Sequence, residues 1–140
     1  MALADALKNI RLDKFRIKSK DAIGVDLGVH CHNDTGCAVA NTMAAVDAGA
    51  THVQGTVNGY GERTGNANIL TLVSNLQIKQ GMSLLAPERL REATRIAHAI
   101  SEVTNVPPYS RQPYVGSSAF AHKAGPVSYT HLTLPTNREV

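Results

Sequence analysis

The chain has 140 residues, of which 43% are hydrophobic, with a formal net charge of +3 and two cysteines, which bounds it to one globular domain or a piece of one with enough apolar material for a core. Aromatics make up 4% and tryptophan is absent, while Lys8, Arg11, Lys14, Arg16, Lys18 and Lys20 crowd one end as a solvated face, so a nucleic-acid platform of basic and stacking groups is argued against. Two cysteines build no disulfide framework, and no apolar run approaches the roughly 20 residues a bilayer span needs; a cytoplasmic chain with no membrane partner is expected.

In chain order, Leu3, Leu7, Ile10 and Phe15 recur at helical intervals among charges, which predicts an amphipathic helix over residues 3–18. Val25 to Asn33, VDLGVHCHN, is short, apolar and partly β-branched, and Asp34-Thr35-Gly36 closes it; this reads as a buried strand. Cys37 to Ala48 is alanine-rich with Val39, Met43 and Val46 on one stripe, and Gly49 stands where a helix ends. The pattern then repeats: a strand over Thr51 to Gly59, a glycine-rich loop, and a helix over Ala67 to Gln80 stopped by Gly81. Such alternation is the grammar of a parallel α/β fold. A third helix is expected from Ala86 to Asn105, with Pro87 in its first turn. The three prolines of VPPYSRQPYVG, residues 106–116, exclude helix and suggest a connection leaving the α/β body.

Two motifs carry chemistry. His30 and His32 are two apart, so on a strand both imidazoles project from one face with Cα atoms roughly 6.5 Å apart and can share one cation. Cys31 then points the other way, as an apolar filler. Asn33 and Asp34 fall past the strand end, where α/β sheets keep their ligand loops. The second motif, GYGERTGN over residues 59–66, also follows a strand and should lie beside the first. Its glycines permit close backbone approach, Asn66 offers an amide oxygen suited to a hard cation, and Glu62 with Arg63 sets opposite charges on a loop that an anionic substrate would meet. The bland alternative is two exposed histidines and a loop tied down by its own charges. His52 and His98 read as packing or solvent-facing residues.

HCHNDTGCAVANTMAAVDAGATHVQGTVNGYGERTGNAN resembles the seventh and eighth strand units of the α-isopropylmalate, homocitrate and citramalate synthases, a TIM-barrel group with HMG-CoA lyase-like folds. The resemblance runs from Val25 to Gly125, and NGYGERTGNAN with RQPYVGSSAFAHKAG is most similar to the citramalate synthases. It implies a fold class of α/β, a partial TIM (β/α)8 barrel comprising the last two strand-helix units, plus the start of a helical linker subdomain. The expected division is a poorly matching segment over 1–24, barrel residues over 25–105, the linker subdomain beginning over 106–125, and a non-native, adapter-derived tail over 126–140 that leaves His131 without function.

The resemblance also implies a metal-dependent Claisen condensation of acetyl-CoA with a 2-oxo acid. The favoured substrate is pyruvate, giving citramalate for isoleucine synthesis; the alternative is 2-oxoisovalerate, for leucine. By that likeness His30, His32 and Asn66 match ligands of a divalent Mn, Mg or Zn ion, Asn33 and Asp34 are candidates to orient those ligands, and Glu62 and Arg63 are active-site loop candidates. The intact parent is expected to be a homodimer. A (β/α)8 barrel takes about 250 residues, and the family's aspartate ligand and substrate-binding arginine come from a first strand that nothing before residue 25 resembles. His122 lies too early to match the family's acid/base histidine. The 140-residue chain is therefore expected to be inactive alone, and a truncated module with weak metal binding is the rival of another class. An unrelated metal hydrolase would need further ligands downstream, where only His98 stands.

Overall fold

The computed structural model describes residues 24–121. The helix expected over residues 3–18 and the tail over 126–140 lie outside the described residues.

Two short parallel strands lie side by side. β1, Gly28–His30, pairs with β2, His52–Gln54, in a register that sets Gly28 beside His52, Val29 beside Val53 and His30 beside Gln54. Between them runs α1, Ala38–Asp47, and the turn back to β2 passes through Gly49 at φ +107, a conformation that glycine adopts at least cost. Because side chains alternate along a strand, Val29 and Val53 turn inward while Gly28, His30, His52 and Gln54 face outward, and the burial of both strands follows that alternation. Both strands are shorter than the apolar runs that encode them. β2 ends at Gln54 because Gly55 and Thr56 turn to meet the returning chain, Thr56 N–H donating to Ala67 O at 3.0 Å. A Cβ on Gly55 would stand 2.6 Å from that carbonyl, so a close backbone approach requires glycine here.

After β2 comes a turn over Val57–Gly59, then α2, Ile69–Ser74, which continues into a wider π turn over Asn75–Lys79 and stops at Gly81. Asn68 caps α2, its side-chain oxygen accepting from Leu70 N–H at 3.1 Å. The core is small: Ala38, Ala67 and Leu72 are fully buried, and Cys31, Val39, Met43, Val53 and Ile69 pack around them. Cys31 thus fills the apolar side, opposite its flanking histidines.

The third helix is not continuous. One turn, α3, Pro87–Leu90, precedes α4, Ala93–Thr104, with a break at Arg91 and Glu92. Arg89 and Glu92 N–H groups reach back only three residues, to Ala86 and Arg89 carbonyls, and Glu92 sits at ψ −7, so the chain tightens before resuming the α-helix. Pro87 occupies the first turn and Asn105, at φ 53, ends α4. The proline-rich segment that follows folds back on the α/β body: Gln112, Val115 and Gly116 are buried, Gln112 Nε2 donates to Asn58 Oδ1 at 3.1 Å, and Tyr114 OH donates to Asn75 Oδ1 at 2.5 Å. The outward strand face carries Gly28, His30, His52 and Gln54, and exposed large apolar side chains lie in the stretch after α2, at Ile78, Met82, Leu84 and Leu85, before β1 at Val25, and at the end of α4 and just past it, at Val103, Val106 and Tyr109. No helix among the described residues is long and apolar enough to cross a membrane.

Candidate metal centre

The residues singled out in the sequence gather where the chain leaves β1 and β2. Past His30 the backbone stays extended, but its partner changes. Asn33 N–H donates to Gly65 O at 2.8 Å and Ala67 N–H donates to Cys31 O at 3.0 Å, which makes His32 and Asn66 an antiparallel pair flanked by those two bonds. This is the pairing in which opposing side chains stand closest and on one face. His30, two residues back, shares that face, and its ring lies edge to face with that of His32, centroids 5.1 Å apart. Two imidazoles and an amide are thereby brought together by main-chain hydrogen bonding alone.

Asn66 is held from one side only. Its Nδ2 donates to Tyr60 O at 3.2 Å, whereas its Oδ1 is buried and has no partner. Among the described residues Thr71 Oγ1 on α2 is the other buried side-chain oxygen in that state. An unpartnered buried amide oxygen costs about 1–3 kcal/mol, a cost that a bound cation would relieve. The donor set, two neutral nitrogens and one neutral oxygen, suits a divalent ion. Among the described residues no group of three or more His, Cys, Asp or Glu is placed to hold a metal ion.

The remaining candidates have other partners. Asn33 Oδ1 accepts from Ala38 N–H at 3.2 Å, so this side chain caps α1, in place of Cys37, whose side chain makes no cap bond. Asp34 takes a two-pronged contact from Arg63, Nε to Oδ1 at 2.6 Å and Nη2 to Oδ2 at 2.9 Å. The Arg63 guanidinium holds the Asp34 carboxyl below its ordinary range, with His32 adding to the effect, and Asp34 in turn raises Arg63. Arg63 itself is in the left-handed region at φ 57. Glu62 is 83% exposed and reaches Arg63 only at 3.8 Å. The glycines of the loop are tightly used: a Cβ on Gly65 would collide with Gly59 O, and one on Gly61 with the Asn66 side chain. His52 and His98 are exposed.

Sequence reasoning missed a polar cluster behind this loop. Asn58, left-handed at φ 59, donates through Nδ2 to Ala97 O at 2.8 Å, Ser101 Oγ at 3.2 Å and Tyr60 OH at 3.3 Å. Tyr60 OH lies 3.1 Å from Ser101 Oγ and donates to Val106 O at 3.3 Å. These bonds join the post-β2 loop to α4 across some forty positions of sequence, a separation that no local pattern encodes. The one available signal was an Asn beside glycines, a residue that tolerates φ > 0.

An HMGL-like family profile matches residues 4–99, and the chain belongs to that family. The family implies a TIM barrel, of which the described residues form a two-stranded parallel α/β unit rather than a closed ring. The chain is 66% identical over 102 residues to an (R)-citramalate synthase of Streptomyces coelicolor, covering 73% of this chain and 19% of that protein. It is 45% identical over 139 residues to one of Synechocystis, covering 87% of this chain and 25% of that protein. A probable 2-isopropylmalate synthase of Methanopyrus kandleri is 47% identical over 106 residues, covering 75% of this chain and 21% of that protein. The chain thus spans a quarter or less of these relatives, all of which carry the names of synthases.

Proposed function

We propose that this chain carries the last two strand-helix units of a condensing synthase barrel and the start of its linker subdomain, and that His30, His32 and Asn66 hold a divalent Mn, Mg or Zn ion. The intact homodimeric parent joins acetyl-CoA to a 2-oxo acid, pyruvate in our reading, to form citramalate in isoleucine synthesis in the cytoplasm. What supports this is the ring contact of His30 with His32 and the pairing of His32 with Asn66, whose amide oxygen is buried and unpartnered, in a chain 66% identical to a citramalate synthase. When bound, the ion supplies Lewis-acid polarisation of the substrate carbonyl. What the chain supplies is position: β1 and the extended backbone that follows it set the two imidazoles on one face, the bridge of Asn66 with His32 brings that residue opposite them, and Asp34 with Arg63 ties the two loops together. Arg63 is engaged by Asp34. The bare strand face bearing His30 is what faces the centre of a barrel.

The match to a 2-isopropylmalate synthase at 47% identity keeps 2-oxoisovalerate as the second substrate reading. The three neutral donors favour, for the isolated chain, a module that binds metal weakly and does not turn over.

A chimera tests the proposal. Residues 25–125 replace the matching segment of the Streptomyces enzyme, and CoA release is followed with each 2-oxo acid. The expected result is pyruvate-dependent release by the chimera, its loss in His30→Ala and His32→Ala, and none from the isolated chain. A folded chimera that is inactive overturns the reading that these residues serve the site of a condensing synthase.

A further inference from the structure

The amide of Asn66 has two ends, and only its oxygen suits a hard cation. Which end faces the imidazoles is decided by what holds the other. That partner is Tyr60, whose carbonyl accepts from Asn66 Nδ2 at 3.2 Å and from Thr56 Oγ1 at 2.5 Å. Tyr60 stands between Gly59 and Gly61 in a loop of otherwise permissive backbone. Thr56 Oγ1 holds its carbonyl from one side, and a second anchor holds the residue from the other. The anchor is the phenol at the far end of the same residue, seated between Ser101 Oγ at 3.1 Å, Asn58 Nδ2 at 3.3 Å and Val106 O at 3.3 Å. Ser101 is buried and tied in turn to Ala97 O at 3.0 Å within α4.

From this chain of contacts we infer that Tyr60 is a positioning residue for the candidate metal centre: clasped to Ser101 on α4, it pins Asn66 Nδ2 and so presents Asn66 Oδ1 as the ligand oxygen. The inference rests on the metal reading above and adds to it the device that sets the amide's orientation. Exchanging the amide's ends would bring an N–H group toward the imidazoles and set its oxygen against the Tyr60 carbonyl. Both changes disfavour a cation, and both are opposed by the same clasp. α4 contributes no ligand, yet it becomes part of the site.

The test is Mn2+ affinity of the whole chain, read by electron paramagnetic resonance of the free ion, alongside the thermal midpoint of each variant. Tyr60→Phe removes only the hydroxyl, and Ser101→Ala only its partner. Each is expected to weaken Mn2+ binding about tenfold, the low end for groups that orient a ligand from behind. The double variant is expected to be no weaker than either single one, because both break one clasp. Tyr114→Phe, which loses the bond to Asn75 on the wide turn after α2, is the matched control: it is expected to lower the midpoint and leave affinity unchanged. Wild-type affinity in both clasp variants overturns the inference, as does a loss in Tyr114→Phe that follows the midpoint equally. A wild-type chain that takes up no Mn2+ overturns the metal reading itself and this inference with it.

Discussion

Arg63 and Asp34 join the loop after β2 to the loop after β1 through two parallel hydrogen bonds, 2.6 Å and 2.9 Å long, although both side chains are about half exposed. Exposed ion pairs contribute little to global stability, so the consequence is local. Asp34→Asn and Arg63→Lys are expected to leave the unfolding midpoint nearly unchanged while speeding amide exchange at Asn66 and Ala67, whose N–H groups bond Gly59 O and Cys31 O across those loops. Salt near 1 M, where screening acts within about 3 Å, should speed wild-type exchange toward that of Asp34→Asn and leave that variant unaffected. Hydrogen exchange followed residue by residue checks this.

Gly61 lies against the amide it helps to place. A methyl group there would collide with Asn66 Nδ2 and stand 2.9 Å from its Cγ. Gly61→Ala should therefore weaken Mn2+ binding about tenfold or more, with a smaller proportional effect on unfolding. Calorimetric titration beside urea denaturation separates the two.

Leu72 is fully buried in the three-residue centre of the core, and Val103 on α4 is 83% exposed. Leu72→Ala is expected to cost about 2–5 kcal/mol, enough to unfold a chain with so little core. Val103→Ala should stay within about 0.5 kcal/mol of wild type. Urea midpoints measure both.

Burial raises the phenol of Tyr114 above its ordinary range. A group whose folded value is raised contributes stability that is intact below its unfolded value, about 10 for tyrosine, and is lost as pH climbs through the folded one. Wild-type thermal midpoints should thus fall on the alkaline side of about pH 10 more steeply than those of Tyr114→Phe. A midpoint series from neutral to alkaline pH is the check.

Much of the order of elements was written locally. His30 and His32, two apart after an apolar run, announce a strand with both imidazoles on one side, and α1 is legible in its Val39 and Met43 stripe with Gly49 behind it. What the sequence could not show is who pairs with whom. Cys31 to Asn33 exchange one strand partner for another because the chain returns at Gly65 to Ala67, and Asn58 holds a left-handed turn because Ala97 and Gln112, 39 and 54 positions away, bond its side chain. Asn33, placed among the ligand-orienting candidates by its motif, gives its oxygen to the start of α1. The break at Arg91 and Glu92 has no proline or glycine to mark it, only a tightening of backbone bonds.

Pulsed electron paramagnetic resonance of the Mn2+-loaded chain tests most directly whether His30 and His32 bind one ion. The expected spectrum shows nitrogen modulation from coordinated imidazole in the wild-type chain, weakened in His30→Ala and in His32→Ala and gone in the double variant. Bound Mn2+ without nitrogen modulation, or with modulation that survives loss of both histidines, would contradict it.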